Sequence, residues 1–88
     1  MKLVIRNIES TLFSGKVSSV TLPGTFCSFQ VLKNHAPLVS SLAKGTIILV
    51  SGGNVKTIEI EGGFVEVKEN TISVFIDGNG QQPIASNQ

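Results

Sequence analysis

Two side chains in this sequence could act as a nucleophile and a general base, Cys27 and His35, and each residue type occurs once. A thiol activated by an imidazole is a common arrangement for covalent catalysis, and separation along the chain does not prevent contact in the fold. No third group near either residue is placed to orient the imidazole, and cysteine is usually a small buried hydrophobic residue. The simpler interpretation of His35 is a loop histidine whose ring bonds a neighbouring carbonyl. A small hydrolase that uses both residues is kept as an enzymatic alternative.

Other catalytic and cofactor sites lack their sequence signatures. There is no glycine-rich loop followed by Lys-Ser or Lys-Thr, so no phosphate-binding loop of the P-loop type is predicted. One histidine and one cysteine cannot form a closed zinc site. The carboxylates beside two glycines and a turn are expected to form a solvated surface: Glu59, Glu61, Glu66 and Glu69. We predict no catalytic residue, no cofactor and no metal.

The composition describes one small domain without a strong electrostatic preference. The 88 residues carry a formal net charge of +1, and the lysines are spread along the chain, so no nucleic-acid partner is indicated. A single cysteine excludes an internal disulfide. The longest aliphatic run, 47–50, is far below the roughly 20 residues that span a bilayer, and 3–5 is too short for a signal-peptide core. We expect a soluble protein that reaches a membrane only through a partner.

The spacing of apolar residues predicts an all-β domain. No segment repeats apolar residues at helical spacing, and nine glycines separate short runs rich in Val, Ile and Thr. Many short strands in one small domain close best as two packed sheets, so we predict a small antiparallel β-sandwich or flattened barrel over residues 1–77. Residues 78–88 are polar and aperiodic, and we predict a disordered tail there.

Some local features are predicted within the sandwich. A bulge or tight bend is expected at Ser14-Gly15, and the next strand is expected over 16–22. The segment 38–42 fits either a strand or a single turn. Hairpins are expected to close at Gly52-Gly53-Asn54 and across Glu69-Asn70.

The segment 20–42 is predicted to hold a rigid loop region between two breaks. Pro23-Gly24 ends a strand, because proline lacks an amide donor and glycine accepts positive φ. Pro37 makes the second break by restricting the residue before it to extended geometry. Loops held on a scaffold commonly carry binding residues. Phe26 follows the first break, so it is either packed or an exposed anchor for a protein partner.

Separated motifs occur in a fixed order over nearly the whole chain, up to about Asp77. They are Thr11-Leu12-Phe13-Ser14-Gly15, Val20-Thr21-Leu22-Pro23-Gly24, Phe29, Val31-Leu32, Asn34-His35-Ala36-Pro37-Leu38 and Gly62-Gly63-Phe64-Val65-Glu66-Val67. Together they resemble the epsilon subunit of the F-type ATP synthase. The resemblance extends to the N-terminal β-sandwich of that family, and residues 78–88 show nothing like its C-terminal helical hairpin.

The resemblance implies a non-catalytic role in the rotor, or central stalk, of a proton-translocating ATP synthase. Its implied partners are the gamma subunit and the ring of c subunits, with which it turns to couple hydrogen ion transport to ATP synthesis. The implied location is peripheral, at the cytoplasmic face of the bacterial inner membrane, with membrane contact only through the c ring. No nucleotide binding is expected.

The resemblance also implies a partner interface at one end of the sandwich, facing the c ring and the foot of gamma. Its expected residues are Phe26, Ser28, His35, Ala36 and Pro37. The contact is expected to be apolar at Phe26 and polar at Ser28 and His35.

The sequence departs from the family pattern in this region. Family members commonly carry glycine at the positions of Cys27 and Gln30 and proline at Lys33. Some carry an acidic residue at Ser28, where this chain would use neutral hydrogen bonds to the polar loops of the ring. Outside the family, a stand-alone β-sandwich that binds a peptide or a carbohydrate is an alternative, although such sites usually show Trp or Tyr, which this chain lacks.

Overall fold

The computed structural model describes residues 1–78, which form nine strands in two sheets. The strands are β1 Lys2–Arg6, β2 Thr11–Lys16, β3 Ser19–Pro23, β4 Ser28–Leu32, β5 Leu38–Leu42, β6 Gly45–Ser51, β7 Asn54–Ile60, β8 Gly63–Lys68 and β9 Thr71–Ile76. The predicted all-β sandwich is confirmed. The predicted tail lies outside the described residues except for Gly78, so the boundary after residue 77 stays a prediction. Within 1–78 there is no helix of the length and hydrophobicity that a membrane crossing requires.

The two sheets have five and four strands. The larger has the order β2-β1-β9-β8-β5 and the smaller β4-β3-β6-β7. The strand pairs are antiparallel apart from β1 and β9, which run parallel in the middle of the larger sheet. Parallel neighbours need a long connection between them, and here almost the whole domain provides it.

The core is made of inward-facing aliphatic residues. β1 buries Leu3 and Ile5, and β9 buries Ile72, Val74 and Ile76, as the period of two predicts. The buried hydrophobic side chains are all Val, Ile or Leu, and none of the five phenylalanines is among them. Branched aliphatic side chains therefore fill the space between the sheets, and the aromatic rings lie at its rim or on the surface.

The bulge predicted at Ser14-Gly15 is wrong. β2 pairs regularly with β1 at these residues, and the register shift lies further along the pair, between Ile5 and Arg6. A Cβ atom at Gly15 would lie 3.4 Å from the ring of Phe13. The glycine thus leaves room for an aromatic ring and does not bend the strand.

The single strand predicted over 16–22 is also wrong. β2 ends at Lys16, the chain crosses to the other sheet through Val17-Ser18, and β3 follows. The amide of Ser18 donates to the carbonyl of Val50 at 2.8 Å, which fixes the crossing against β6. Two consecutive polar residues, Ser18-Ser19, interrupt the alternation at the crossing, and this is the sequence signal that the prediction missed.

Both predicted hairpins are confirmed, and the undecided segment 38–42 is strand β5. Each hairpin closes through two residues with positive φ, which are 59° and 82° at Gly52 and Gly53 and 52° and 60° at Glu69 and Asn70. This geometry is that of a type I′ turn, whose twist matches that of the strands.

The strands run between two ends of the sandwich, at which the loops gather. At the first, named the Phe26 end, lie the loops 7–10, 24–27, 43–44 and 61–62. At the second, named the His35 end, lie the loops 17–18, 33–37, 52–53 and 69–70. The sheets are joined at the Phe26 end by a bridge between Gly24 and Leu42.

Among the described glycines, Gly63 has the least room for a side chain. Its φ is 150°, and a Cβ atom there would overlap the carbonyl oxygen of Phe75 on β9. Gly63→Ala is therefore expected to lower the free energy of unfolding by at least about 2 kcal/mol. Gly15→Ala is the matched control, because its added methyl group meets only a ring edge. Urea unfolding of both variants measures the difference, and equal stabilities would contradict the close approach.

Candidate partner interface

The five residues expected to share one interface lie at opposite ends of the sandwich. Phe26 and Ser28 are at the Phe26 end, whereas His35, Ala36 and Pro37 are at the His35 end. Ser28 begins β4 and His35 lies three residues beyond its last residue, Leu32. At 3.3 Å per residue the strand alone spans about 13 Å. The expectation that they lie at one end of the sandwich is therefore wrong, because the segment between the two breaks contains a full strand.

The loop at the Phe26 end presents its aromatic side chain to solvent from a fixed base. Phe26 is 101% exposed relative to its reference state. The amide of Thr25 donates to the carbonyl of Ser41 at 3.2 Å, and the amide of Ala43 donates to the carbonyl of Pro23 at 2.8 Å. The loop is thus fastened to β5 on both sides of the bridge, and Phe26 has the geometry of an anchor and not of a core residue.

Gly24 lets this loop turn tightly. A Cβ atom there would lie 2.5 Å from the carbonyl oxygen of Cys27 and 2.9 Å from the ring of Phe29. Phe29 is half-buried and packs against the core. Cys27 and Ser28 are exposed. The two aromatic residues of this region therefore differ in burial, because Phe29 packs inward and Phe26 points into solvent.

The loop at the His35 end is stabilised by its own polar groups. The amide of His35 donates to the carbonyl of Leu32 at 3.1 Å, and its ring Nδ1 donates to the carbonyl of Ala36 at 2.7 Å. The prediction of a loop histidine bonded to a neighbouring carbonyl is confirmed. His35, Ala36 and Pro37 are all exposed, so the loop is available to a partner.

The geometry does not assemble a catalytic dyad. Cys27 directly precedes β4 and His35 follows its far end, so the thiol and the imidazole cannot meet, and the hydrolase alternative is wrong. The four carboxylates expected to form a solvated face are all exposed, as predicted. They do not share one face, because Glu59 and Glu66 lie on the outer faces of different sheets. Within 1–78 no group of three or more His, Cys, Asp or Glu side chains converges as a metal site would require.

The outer faces of the two sheets differ in charge, a feature that our sequence analysis missed. On the four-stranded sheet Glu59 is the one charged side chain of β3, β4, β6 and β7 that points outward, and it accepts a hydrogen bond from Thr46 at 2.6 Å. Leu32, Ile48 and Val55 are exposed on the same face. The five-stranded sheet carries outward charges instead: Lys2, Arg6, Lys16, Glu66 and Lys68. The signal was the presence of Ser, Thr and aliphatic residues at the outward positions of 19–23 and 45–51.

A family model and individual relatives of this chain agree on the same protein family. Residues 1–79 match the family described as ATP synthase, Delta/Epsilon chain, beta-sandwich domain. The chain is 45% identical over 69 residues to the ATP synthase epsilon chain of Leptospira borgpetersenii, covering 78% of this chain and 54% of that one. It is 36% identical over 69 residues to the ATP synthase epsilon chain of Caulobacter vibrioides, covering 78% of this chain and 80% of that one. The chain thus spans little more than half the length of the Leptospira relative.

Solved structures agree in fold. A chain of the Euglena gracilis mitochondrial ATP synthase, from a structure of OSCP, F1 and c-ring, superposes with a TM-score of 0.83 at 20% identity, covering 91% of this chain and 51% of that one. A chain of the Tetrahymena thermophila mitochondrial ATP synthase central stalk and c-ring gives a TM-score of 0.74 at 19% identity, covering 88% and 63%. At these identities the likeness establishes the β-sandwich fold alone.

The two phenylalanines of the loop region make a matched pair for a stability measurement. Phe29→Ala is expected to lower the melting temperature by about 8 °C or more, because it removes a ring that packs on the core. Phe26→Ala should leave the melting temperature within about 2 °C of the wild type, because its ring is fully exposed. Thermal melting followed by circular dichroism tests both. A large loss of stability in Phe26→Ala would contradict its exposed position.

Proposed function

The chain belongs to the family of ATP synthase delta/epsilon chain β-sandwich domains, and we propose that it serves as a non-catalytic rotor subunit of a proton-translocating ATP synthase. In this role it packs on the gamma subunit and the c ring and turns with both, coupling proton flow to ATP synthesis. It would lie at the cytoplasmic face of the bacterial inner membrane and touch the membrane only through the ring. The structural observation that carries the proposal is the fully exposed Phe26 on a loop with a fixed base.

The separation of the two loops favours two contacts. From the resemblance we expect position 28 to meet the polar loops of the ring, so we propose that Phe26 and Ser28 contact the c ring. His35, Ala36 and Pro37 lie about one strand length away, and we assign them to the foot of gamma. A subunit that binds the c ring at one end and gamma at the other would connect the two while they rotate together.

The outer face of the four-stranded sheet, which carries a single charged side chain, supports a role in assembly. The cores of protein interfaces are depleted of charged residues. This face fits that description, because Glu59 is the one charged side chain among those that point outward from its strands. No comparable observation favours a stand-alone module for a peptide or a carbohydrate.

Phe26→Ala is expected to weaken binding to the c ring about thirtyfold, because truncating an aromatic anchor at an interface centre costs about 2 kcal/mol. Ser28→Ala should weaken it only about fivefold, since one neutral hydrogen bond contributes roughly 1 kcal/mol. Binding of the 88-residue chain to purified c ring in detergent, followed by surface plasmon resonance, measures both.

Phe64→Ala is the matched control for this experiment, because it removes another exposed ring, on the outer face of the five-stranded sheet. Binding by this variant should equal that of the wild type. If Phe26→Ala binds the c ring as tightly as the wild type, the Phe26 end is not the ring contact. If the wild-type chain itself does not bind the ring, the proposed contact is overturned.

The chain is expected to bind no nucleotide, since its sequence lacks a loop able to cradle phosphates. Titration of Mg-ATP into the protein in a calorimeter should give only the heat of dilution at millimolar nucleotide. Saturable binding with micromolar affinity would contradict the proposal that the chain acts mechanically.

A further inference from the structure

Two asparagines join the His35 end across the sandwich, and we name this pair the asparagine clamp. Oδ1 of Asn70 accepts a hydrogen bond from the backbone amide of Asn34 at 2.7 Å. Nδ2 of Asn70 donates to Oδ1 of Asn34 at 3.0 Å. The two residues are 36 positions apart, so the clamp ties the 33–37 loop to the turn between β8 and β9.

Both members of the clamp occupy the left-handed region of the backbone. The φ angles are 66° at Asn34 and 60° at Asn70. Asparagine is one of the few residues other than glycine that enter this region readily. The residue type therefore does two things at once, because it accepts the turn and supplies the amide that makes the bonds.

The clamp connects an otherwise locally bonded loop to the scaffold. The other side-chain and amide hydrogen bonds found for 33–37 run to neighbours in the chain, from His35 to Leu32 and Ala36. Every residue from 33 to 37 is exposed, so apolar packing contributes little to its order. Asn70 is half-buried and lies in the turn between β8 and β9 of the five-stranded sheet, so the loop is attached to a well-packed part of the fold.

We propose that the asparagine clamp positions the 35–37 loop for its protein partner by ordering the loop before the contact forms. The inference rests on the proposed function and names Asn34 and Asn70 as positioning residues for the gamma contact. Ordering a loop on binding costs free energy that a preorganised loop does not spend. The clamp thus acts on affinity without itself having to touch gamma.

Each part of the clamp can be removed by a matched substitution. Asn70→Gly removes both bonds and keeps a residue that suits the turn. Asn34→Gly removes only the side-chain acceptor, whereas Asn34→Asp keeps both the backbone donor and an acceptor oxygen. Glu69→Gly is the control, because it places the same glycine in the same turn at a φ of 52° and leaves the clamp intact.

The test measures binding of the 88-residue chain to the purified gamma subunit of the same synthase, together with backbone order parameters of the free chain. For Asn70→Gly we expect the Kd to rise about tenfold and the order parameters at 34–36 to fall from about 0.85 to below about 0.6. Asn34→Gly should give an intermediate change. Asn34→Asp and Glu69→Gly should both match the wild type. Their Kd should agree within about twofold, and their order parameters within about 0.05.

The outcomes separate the inference from the function on which it rests. Failure of the wild-type chain to bind gamma would overturn the proposed function, and the inference with it. Normal binding by both the wild type and Asn70→Gly would overturn the inference alone. Equal losses in Asn70→Gly and Glu69→Gly would also overturn it, because the turn and not the clamp would then be responsible. The inference would also be overturned if Asn70→Gly is folded, as thermal melting verifies, and its loop keeps the order parameters of a rigid backbone.

Discussion

The alternation of inward-facing aliphatic residues is the constraint on which the rest of the structure depends. Shifting any strand by one residue would turn its Val, Ile and Leu side chains outward. Since branched aliphatic residues fill the core, the rings remain at the rim. Lys56 lies 5.6 Å above the ring of Phe13 where the sandwich edge opens, and Phe64 stacks on Phe75 with their centroids 5.8 Å apart. Phe29 closes the Phe26 end from inside, which leaves Phe26 outside.

The same core sets the geometry of the two candidate contacts. The length of β4 fixes the distance between the Phe26 loop and the His35 loop, and both loops are fastened to the five-stranded sheet. The first attachment uses backbone groups around Gly24, whereas the second uses the amides of Asn34 and Asn70. Backbone attachments tolerate many side chains, so the second attachment depends more on residue identity than the first.

The sequence predicts the parts of the fold that are local and leaves open those that depend on partners far along the chain. A period of two shows which side of β9 is buried, and Gly52-Gly53 indicates a turn, because both are properties of adjacent residues. Alternation does not say to which sheet a residue belongs, so the crossing at Val17-Ser18 and the parallel pairing of β1 with β9 were missed. The place of Phe26 in a loop left two alternatives open, packed or exposed, and the structure decides for the exposed one. Its separation from His35 could not be foreseen, because that depends on whether the residues between them pair as a strand.

The parallel pairing of β1 with β9 has a consequence for synthesis on the ribosome. β1 lies between β2 and β9, and Leu3 faces Ile72 across that pair. The hairpin of β1 and β2 can form early, but one edge of it stays unpaired until residues beyond 70 have left the exit tunnel. At roughly 5–20 residues per second this interval lasts for several seconds. The nascent chain therefore exposes an unpaired strand edge until almost all of the domain has been translated.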